Sequence, residues 1–332
     1  MRIKVGIIGL GHIGNRHFDV LNELPSQYKI VAVCDSNLKN LRNLDKKIAI
    51  YQDYEMLLDA DIDLVHICTP HHLHAEMTIK ALSKGNHVLV EKPMCLTSEE
   101  AKAMIAASIQ YKRKLFVVKQ NRFNEPVAAV QQLIEKGKLG KIYDVQCNVW
   151  WNRNEKYYLQ SDWRGKLKTE RGALFTQASH FIDLLVWWFG PVEKAKTMLA
   201  TKAHNIQIED CGHSIVQFKS GTIGSINWNN NLFEKNYEGS VTIIAEKGTV
   251  KIGGAYLNEI EYWNVKGIKQ PKIKSQVKPN LYKGNYQGSG SNHAFVFKAV
   301  AKALINKSSN NLVEGIEAKA GIDSIVKIYQ SV

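Results

Sequence analysis

Cysteine is scarce and poorly placed for cross-links: Cys34, Cys68, Cys95, Cys147 and Cys211 are odd in number, far apart and free of CxxC pairs. That spacing indicates neither a disulfide framework nor a zinc site, and it fits a reducing cytoplasm. Long hydrophobic runs are missing too. No stretch approaches the roughly 18 apolar residues of a membrane span. Met1-Arg2-Ile3-Lys4 followed by apolar residues has the outline of a secretory leader, but glycines 6, 9, 11 and 14 interrupt it. Neither internal repeats nor low-complexity segments occur. Negative charge is in deficit, since 44 Lys and Arg against 31 Asp and Glu leave a net +13. No DNA- or RNA-binding motif accompanies the excess, much of which is scattered lysine, so nucleic acid is not an expected partner. The densest basic stretch, Lys266 through Lys283, contains Pro271 and Pro279, is followed by Gly284, and reads as an extended loop. It is either a solvated loop or a source of positive potential for an anionic substrate, and charge alone does not decide between them.

What remains is an ordinary globular composition, 45% hydrophobic over 332 residues. The chain is long enough for two domains, because single cores stop growing near roughly 250–300 residues. The first 120 residues alternate apolar runs with helical stretches, the pattern of βαβ units around a parallel sheet. Strands are predicted at Ile3–Ile8, Ile30–Cys34, Leu64–Cys68, His87–Val90 and Leu115–Val118. Helices are predicted at His12–Leu24, Leu38–Lys47, Leu73–Ser83 and Ser98–Tyr111, the last capped by Thr97 or Ser98. A helix near Pro126–Lys136 leads into a run of strands: Lys141–Trp151, Val192–Ala200, His213–Lys219, Gly224–Asn229, Ser240–Ala245, Gly248–Ile252 and Glu259–Trp263. One helix is predicted over Phe175–Phe189, and His293–Leu304 and Glu314–Tyr329 form a helical tail. The expected architecture is α/β, a doubly wound domain over 1–121 and an α+β domain with a large, mainly antiparallel sheet over 122–332. The terminal helices have the option of packing back on the first domain. Substrate is expected in a cleft at the junction.

Gly9-Leu10-Gly11-His12-Ile13-Gly14 follows the first strand and opens a helix, and Asp35 ends the second strand. In that context GxGxxG is a Rossmann dinucleotide fingerprint rather than a chance glycine turn. Gly9 permits the tight turn, Gly11 the approach of the pyrophosphate and Gly14 close helix packing. The helix N-terminus favours phosphate charge, with His12 and Ile13 in the first turn. Asp35 is expected to accept from the adenosine ribose hydroxyls. With Ser36 after it and no Arg or Lys, NAD is favoured over NADP.

Thr69-Pro70-His71-His72-Leu73-His74 lies at the same sheet edge. Three histidines within four residues resemble metal ligands, but no clear Asp, Glu or Cys partner accompanies them, so no metal is expected. Thr69, Pro70, His71 and His74 are read as lining the cofactor site, although His74 has packing against the helix start as an alternative. In Glu91-Lys92-Pro93, at the end of the His87–Val90 strand, Lys92 is read as facing a reacting group and Glu91 as lining the cofactor. Thr176, His180 and Asp183 fall at i, i+4 and i+7 of one predicted helix, hence on one face with Leu184 and Trp187.

The fingerprint, Glu91-Lys92-Pro93 and the Gly172-Ala173-Leu174…His180…Asp183 stretch, in this order and spacing, resemble the glucose-fructose oxidoreductase/inositol dehydrogenase (Gfo/Idh/MocA) family across the whole chain. A narrower similarity runs through Asn121-Arg122-Phe123-Asn124, Tyr157-Tyr158 followed by Trp163-Arg164-Gly165, Thr176-Gln177-Ala178-Ser179-His180 and Glu246 to Gly254. These stretches resemble sugar-nucleotide 3-dehydrogenases of bacterial surface-polysaccharide pathways. The resemblance implies that Lys92 orients and polarises the reacting hydroxyl and that His180 is the general base. It also implies that Gln120, Trp163 and Arg164 approach the nicotinamide half, and that Arg122, with Thr176, Gln177 and Asp183, holds substrate. Many family members carry aspartate where this chain has Thr176, and the polysaccharide subgroup often lacks it. The implied function is NAD-dependent oxidation of a sugar's secondary hydroxyl, with C3 of a UDP-linked 2-acetamido-2-deoxy-glucuronic acid as the preferred reading. A dehydrogenase of a free sugar or inositol and a non-catalytic NAD-binding sensor are the alternatives. The antiparallel sheet is the family's usual oligomer contact, so a homodimer or homotetramer is expected.

Overall fold

The computed structural model describes residues 2–42, 44–274, 279–282, 286–305 and 311–332. In chain order the first part carries β1 (Ile3–Ile8), α1 (His12–Asn22), β2 (Tyr28–Cys34), β3 (Ala49–Tyr51), α2 (Tyr54–Leu58), β4 (Leu64–Ile67), α3 (His74–Ser83), β5 (His87–Val90), α4 (Ser98–Gln110) and β6 (Leu115–Val117). The middle carries α5 (Glu125–Glu135), β7 (Ile142–Trp150), α6 (Glu155–Leu159), α7 (Ala173–Thr176), α8 (Ser179–Phe189), β8 (Val192–Ala200), β9 (Cys211–Phe218) and β10 (Ile223–Asn229). There follow β11 (Glu238–Ala245), β12 (Gly248–Gly253), β13 (Glu259–Val265), β14 (Pro279–Tyr282), β15 (Tyr286–Gly290), α9 (His293–Leu304), β16 (Val313–Glu314) and α10 (Gly315–Tyr329).

The chain divides into two compact units, one of Met1–Lys119 with His293–Lys319 and one of Gln120–Asn292 with Ala320–Val332. The linear division at 121/122 therefore differs from the observed one, in which a late segment joins the first unit. In that unit the sheet order is β16-β6-β5-β4-β1-β2-β3. All neighbours are parallel except the edge strand β16, which is antiparallel to β6. Short strands buried on both faces read as continuous apolar runs, and Leu64, Val65, Val88, Leu89 and Phe116 are fully buried here. Strand order reverses at β1, and this switch point, outside the strands' carboxyl ends, is where such sheets bind ligands. Helix α4 opens on a capping box: Glu100 N–H donates to Thr97 Oγ1 and Thr97 N–H to Glu100 Oε2, each at 3.0 Å.

The second unit holds a seven-stranded sheet in the order β13-β12-β11-β7-β10-β9-β8, antiparallel except for β10 against β7. Alternation decides its faces. Val145, Cys147, Val149, Val216, Phe218, Ile226, Trp228, Val241 and Ile243 turn inward. Phe189 and Phe181 of α8 pack on that side, the Phe189 ring 5.6 Å from Phe218 and the Phe181 ring 5.8 Å from Trp151. The opposite parity exposes Met198, Ile215 and Ile223. No helix among the described residues is long and apolar enough to cross a membrane.

Three expectations about elements are corrected. The helix expected over Leu38–Lys47 is one 3-10 turn, Leu38–Leu41, followed by a loop and β3. Asn37 and Asp45 accept from the backbone N–H two residues on, at 3.1 and 2.9 Å, and such local bonds compete with helix propagation. The helix expected over Phe175–Phe189 is two helices, α7 and α8. Finally, the loop expected across Lys266 to Lys283 includes β14, which begins at Pro279; proline is tolerated as a first strand residue. Residues 275–278 and Lys283 of that stretch lie outside the described residues.

Candidate active site

The fingerprint turn is built by contact. Gly9 adopts φ +89°, and a Cβ there would sit 2.8 Å from the Cys68 carbonyl oxygen, while one at Gly14 would fall on the Gly9 carbonyl. A Cβ at Gly11 would meet nothing within 4 Å, so the space in front of the turn is open. No side chain caps α1 and its first turn holds no acid, which leaves its N-terminus suited to an anion. Asp35 stands beside this turn: Oδ2 accepts from Leu10 N–H at 2.7 Å and Asn40 Nδ2 at 3.0 Å, and Oδ1 from Asn37 N–H at 2.8 Å. A carboxylate has about four acceptor sites, so one remains for a ribose hydroxyl. These features fit a dinucleotide. His12 is exposed at the helix start, and Ile13, Thr69 and Pro70 are half-buried. His71 is buried in the 3-10 turn His71–Leu73. His74 is enclosed, with Nδ1 2.7 Å from the Pro93 carbonyl oxygen and Nε2 2.8 Å from that of Thr69. Its ring thus ties the loops of Thr69 and Pro93 together.

Glu91 is also turned inward. Its Oε1 is 2.9 Å from His17 Nε2 and 3.4 Å from His293 Nε2, and its Oε2 accepts the Lys92 backbone N–H at 3.0 Å. Behind it, His17 Nδ1 lies 3.0 Å from His66 Nδ1 and 3.3 Å from Cys68 Sγ. Burial pushes the Glu91 carboxyl upward, but the His17 hydrogen bond and the nearness of the His293 ring outweigh it and hold the group well below the usual carboxylate range. Burial pulls His17 down, and burial together with His17 pulls His66 far down. His17, Glu91 and His293 have the donor types of a metal triad, with one ligand atom from each inside 4.8 Å. Lys92 itself is half-buried after β5.

In the second unit α7 and α8 carry the predicted stripe, but not on one helix. Both Gln177 N–H (2.8 Å) and Ala178 N–H (3.2 Å) donate to the Ala173 carbonyl. The i−5 bond widens the turn, so spacing by 3.6 residues does not run from Thr176 to His180. Thr176 closes α7, while His180 and Asp183 belong to α8, and all three are buried. Asp183 is engaged in a buried ion pair. It makes a two-pronged pair with Arg122, Nε to Oδ2 at 2.7 Å and Nη2 to Oδ1 at 3.0 Å, both side chains almost fully buried. Arg122 also lies 4.4 Å from the centre of the Trp187 ring. It belongs to the 3-10 turn Gln120–Phe123, in which Gln120 is buried. Gln177 Nε2 donates to Tyr157 Oη at 2.9 Å, and the Arg164 guanidinium lies 4.2 Å from the Tyr157 ring centre and 5.4 Å from that of Trp163.

Two participants escaped sequence reasoning. Glu209 Oε1 accepts from Ala173 N–H (2.8 Å), Trp228 Nε1 (3.1 Å) and Tyr329 Oη (2.5 Å), anchoring the start of α7. Burial pushes its carboxyl up to about 7 despite those donors. Nothing in the local sequence around Glu209 marks it. His17 did carry a signal, because it shares the apolar stripe of Val20, Leu21 and Leu24, where a polar residue needs a buried partner.

A doubly wound domain with a dinucleotide turn, joined to a sheet domain bearing a buried histidine, defines an NAD-dependent oxidoreductase. Residues 3–119 match the model of the oxidoreductase family with an NAD-binding Rossmann fold, and residues 127–251 that of the GFO/IDH/MocA C-terminal domain. The crystal structure of the WlbA dehydrogenase from Bordetella pertussis, in complex with NADH and UDP-GlcNAcA, is similar at 32% identity and a TM-score of 0.88, covering 100% of this chain and 96% of that one. Its Chromobacterium violaceum counterpart, also in complex with NADH and UDP-GlcNAcA, gives 33%, 0.89, 99% and 93%. The scyllo-inositol 2-dehydrogenase (NADP(+)) IolW of Bacillus subtilis is 29% identical over 65% of this chain, an alignment spanning 60% of that protein. The chain belongs to the Gfo/Idh/MocA family, and its cofactor is NAD.

Proposed function

We propose that this protein oxidises the C3 hydroxyl of a UDP-linked 2-acetamido-2-deoxy-glucuronic acid, in the cytoplasm, on the way to lipopolysaccharide or O-antigen sugars. The observation that carries this reading is the end-to-end likeness, at 32–33% identity, to two dehydrogenases crystallised with NADH and UDP-GlcNAcA. A net charge of +13 suits a substrate bearing pyrophosphate and carboxylate. The cysteines, all free, suit a reducing compartment.

Bound NAD supplies a hydride acceptor at the nicotinamide C4. The remaining work falls to side chains. Alcohol oxidation also releases the hydroxyl proton, and in this reading His180 takes it, imidazole being suited to proton transfer near neutral pH. The Lys92 ammonium donates a hydrogen bond to the same oxygen and steadies the charge that grows there as the proton leaves. The C–H electron pair departs as hydride and the C–O bond becomes a carbonyl. Arg122 and Asp183, locked together, hold the Gln120–Phe123 turn to α8 and so orient the helix that carries His180. Trp163, Arg164 and Gln120 are assigned to the nicotinamide side, and Thr176 and Gln177 to the sugar. The exposed face of the second unit's sheet, with Met198, Ile215 and Ile223, is assigned to the contact between copies.

The test is incubation with NAD and a panel of UDP-sugars, UDP-uronic acids, free sugars and inositol, with and without a 2-oxo acid to recycle the cofactor, read by mass spectrometry. Loss of two hydrogens from the UDP-uronic acid alone is expected. The inositol relative supports a second reading, and turnover of inositol or free sugars would establish it instead. No turnover across the panel, with NAD still bound, would favour a sensor.

A further inference from the structure

We propose that Glu91, gripped by His17 and flanked by His293, is a positioning residue that fixes the backbone of Lys92. The inference rests on the role given to Lys92 above. The Glu91 carboxylate is buried at the end of β5, and one oxygen takes the N–H of the next residue at 3.0 Å. A carboxylate rotates about its last side-chain bonds, so it holds that N–H only if its other oxygen is also fixed. His17 Nε2 at 2.9 Å performs this, and His293 Nε2 stands 3.4 Å from the same oxygen. A neutral His17 has one N–H to give. Donated to Glu91 from Nε2, it leaves Nδ1 as an acceptor facing Cys68 Sγ at 3.3 Å and His66 Nδ1 at 3.0 Å, either of which can supply the proton. The ring of His17 is wedged between His66 and Phe297, at centroid distances of 5.0 and 4.9 Å, so its orientation is set by packing.

The arrangement has a consequence for the reaction. His17 sits on α1, whose N-terminus is the phosphate turn, and Glu91 sits beside the lysine. A single imidazole thus registers the cofactor's helix against the lysine's strand, and an error of about 1 Å at a reacting group can cost about 100-fold in rate. A polar cluster that only filled the core would stabilise the fold without bearing on turnover. The two cases separate by experiment.

The first measurement is hydrogen exchange at the Lys92 amide of the wild-type protein, resolved by fragmentation mass spectrometry. Slow exchange is expected, rising in Glu91→Leu and His17→Leu. On whichever substrate the panel identifies, both variants are expected to lose roughly 10- to 100-fold in kcat, the usual cost of losing an outer-shell support, with NAD affinity nearly unchanged. Glu91→Gln and His17→Gln, which keep hydrogen-bonding atoms at the same places, are expected to recover most of it. A folded, NAD-binding Glu91→Leu with wild-type kcat would overturn the proposal. Fast exchange of the Lys92 amide in the wild-type protein would do so too, even if the leucine variants do not fold. Lys92→Met serves as the control on the underlying reading. If it retains turnover, the assignment of Lys92 fails, while amide exchange still decides whether Glu91 holds the backbone.

Discussion

Asp183 and Arg122 form an ion pair with both side chains almost fully buried. Asp183→Ala takes the paired carboxylate from a buried guanidinium, a loss of about 3–5 kcal/mol for a broken buried pair. Chemical denaturation of the variant checks it, with the expectation that Arg122→Met/Asp183→Leu together cost less than Asp183→Ala alone. His180→Asn should behave differently, with turnover down about 10²–10⁴-fold at nearly unchanged stability and NAD affinity, as for loss of a general base. Steady-state rates beside a thermal melt separate the two effects. At this scale the sequence was uneven as a guide. Lys92 and the glycines stand in motifs whose spacing is local, so their places were legible. The partner of Asp183 lies 61 residues away and that of Glu91 lies 74 and 202 residues away in His17 and His293, and no periodicity links such positions.

Helix pairs and strands tell a related story. The strand-like runs placed the strands of the second sheet to within a residue or two, and alternation holds their register, since a one-residue slip would turn every inward side chain outward. The α7–α8 break was not legible, because it depends on an i−5 bond and on the distant carboxylate that anchors Ala173. That carboxylate makes the element pH-sensitive. The Glu209 carboxyl is raised to about 7 by burial, so its contribution to stability is complete below its ordinary value of 4.5 and is lost as pH rises through about 7. Burial lowers His17, His66 and His74, so their contribution is complete above the ordinary 6.5 and declines as pH falls below it. Thermal midpoints should therefore peak slightly below neutral. Glu209→Gln should remove the decline on the alkaline side and steepen the rise on the acid side, where the Glu209 contribution opposes that of the histidines.

For the whole molecule, the exposed apolar stripe of Met198, Ile215 and Ile223 on one face of the second sheet predicts self-association. Light scattering should give a dimer or tetramer, and Ile215→Glu with Met198→Glu should shift it toward monomer without loss of NAD binding. The two-domain plan was readable from the change of texture near residue 120. The discontinuity of the first unit was open only as an option for the terminal helices, and β16 was not legible, Glu314 being read as the start of the last helix. That discontinuity bears on how the protein is made. β16 closes the edge of the nucleotide-binding sheet against β6, Tyr28 Oη donates to the Phe297 carbonyl at 2.6 Å, and His293 reaches Glu91. A ribosome adding about 5–20 residues per second needs on the order of ten seconds or more after β6 before those pieces exist. Throughout that interval the nascent domain carries an open strand edge and lacks the helix that covers Tyr28 and stands beside Glu91. An excised fragment of residues 1–119 should accordingly show weak, NAD-independent structure by circular dichroism and recover cooperativity only when residues 293–319 are supplied.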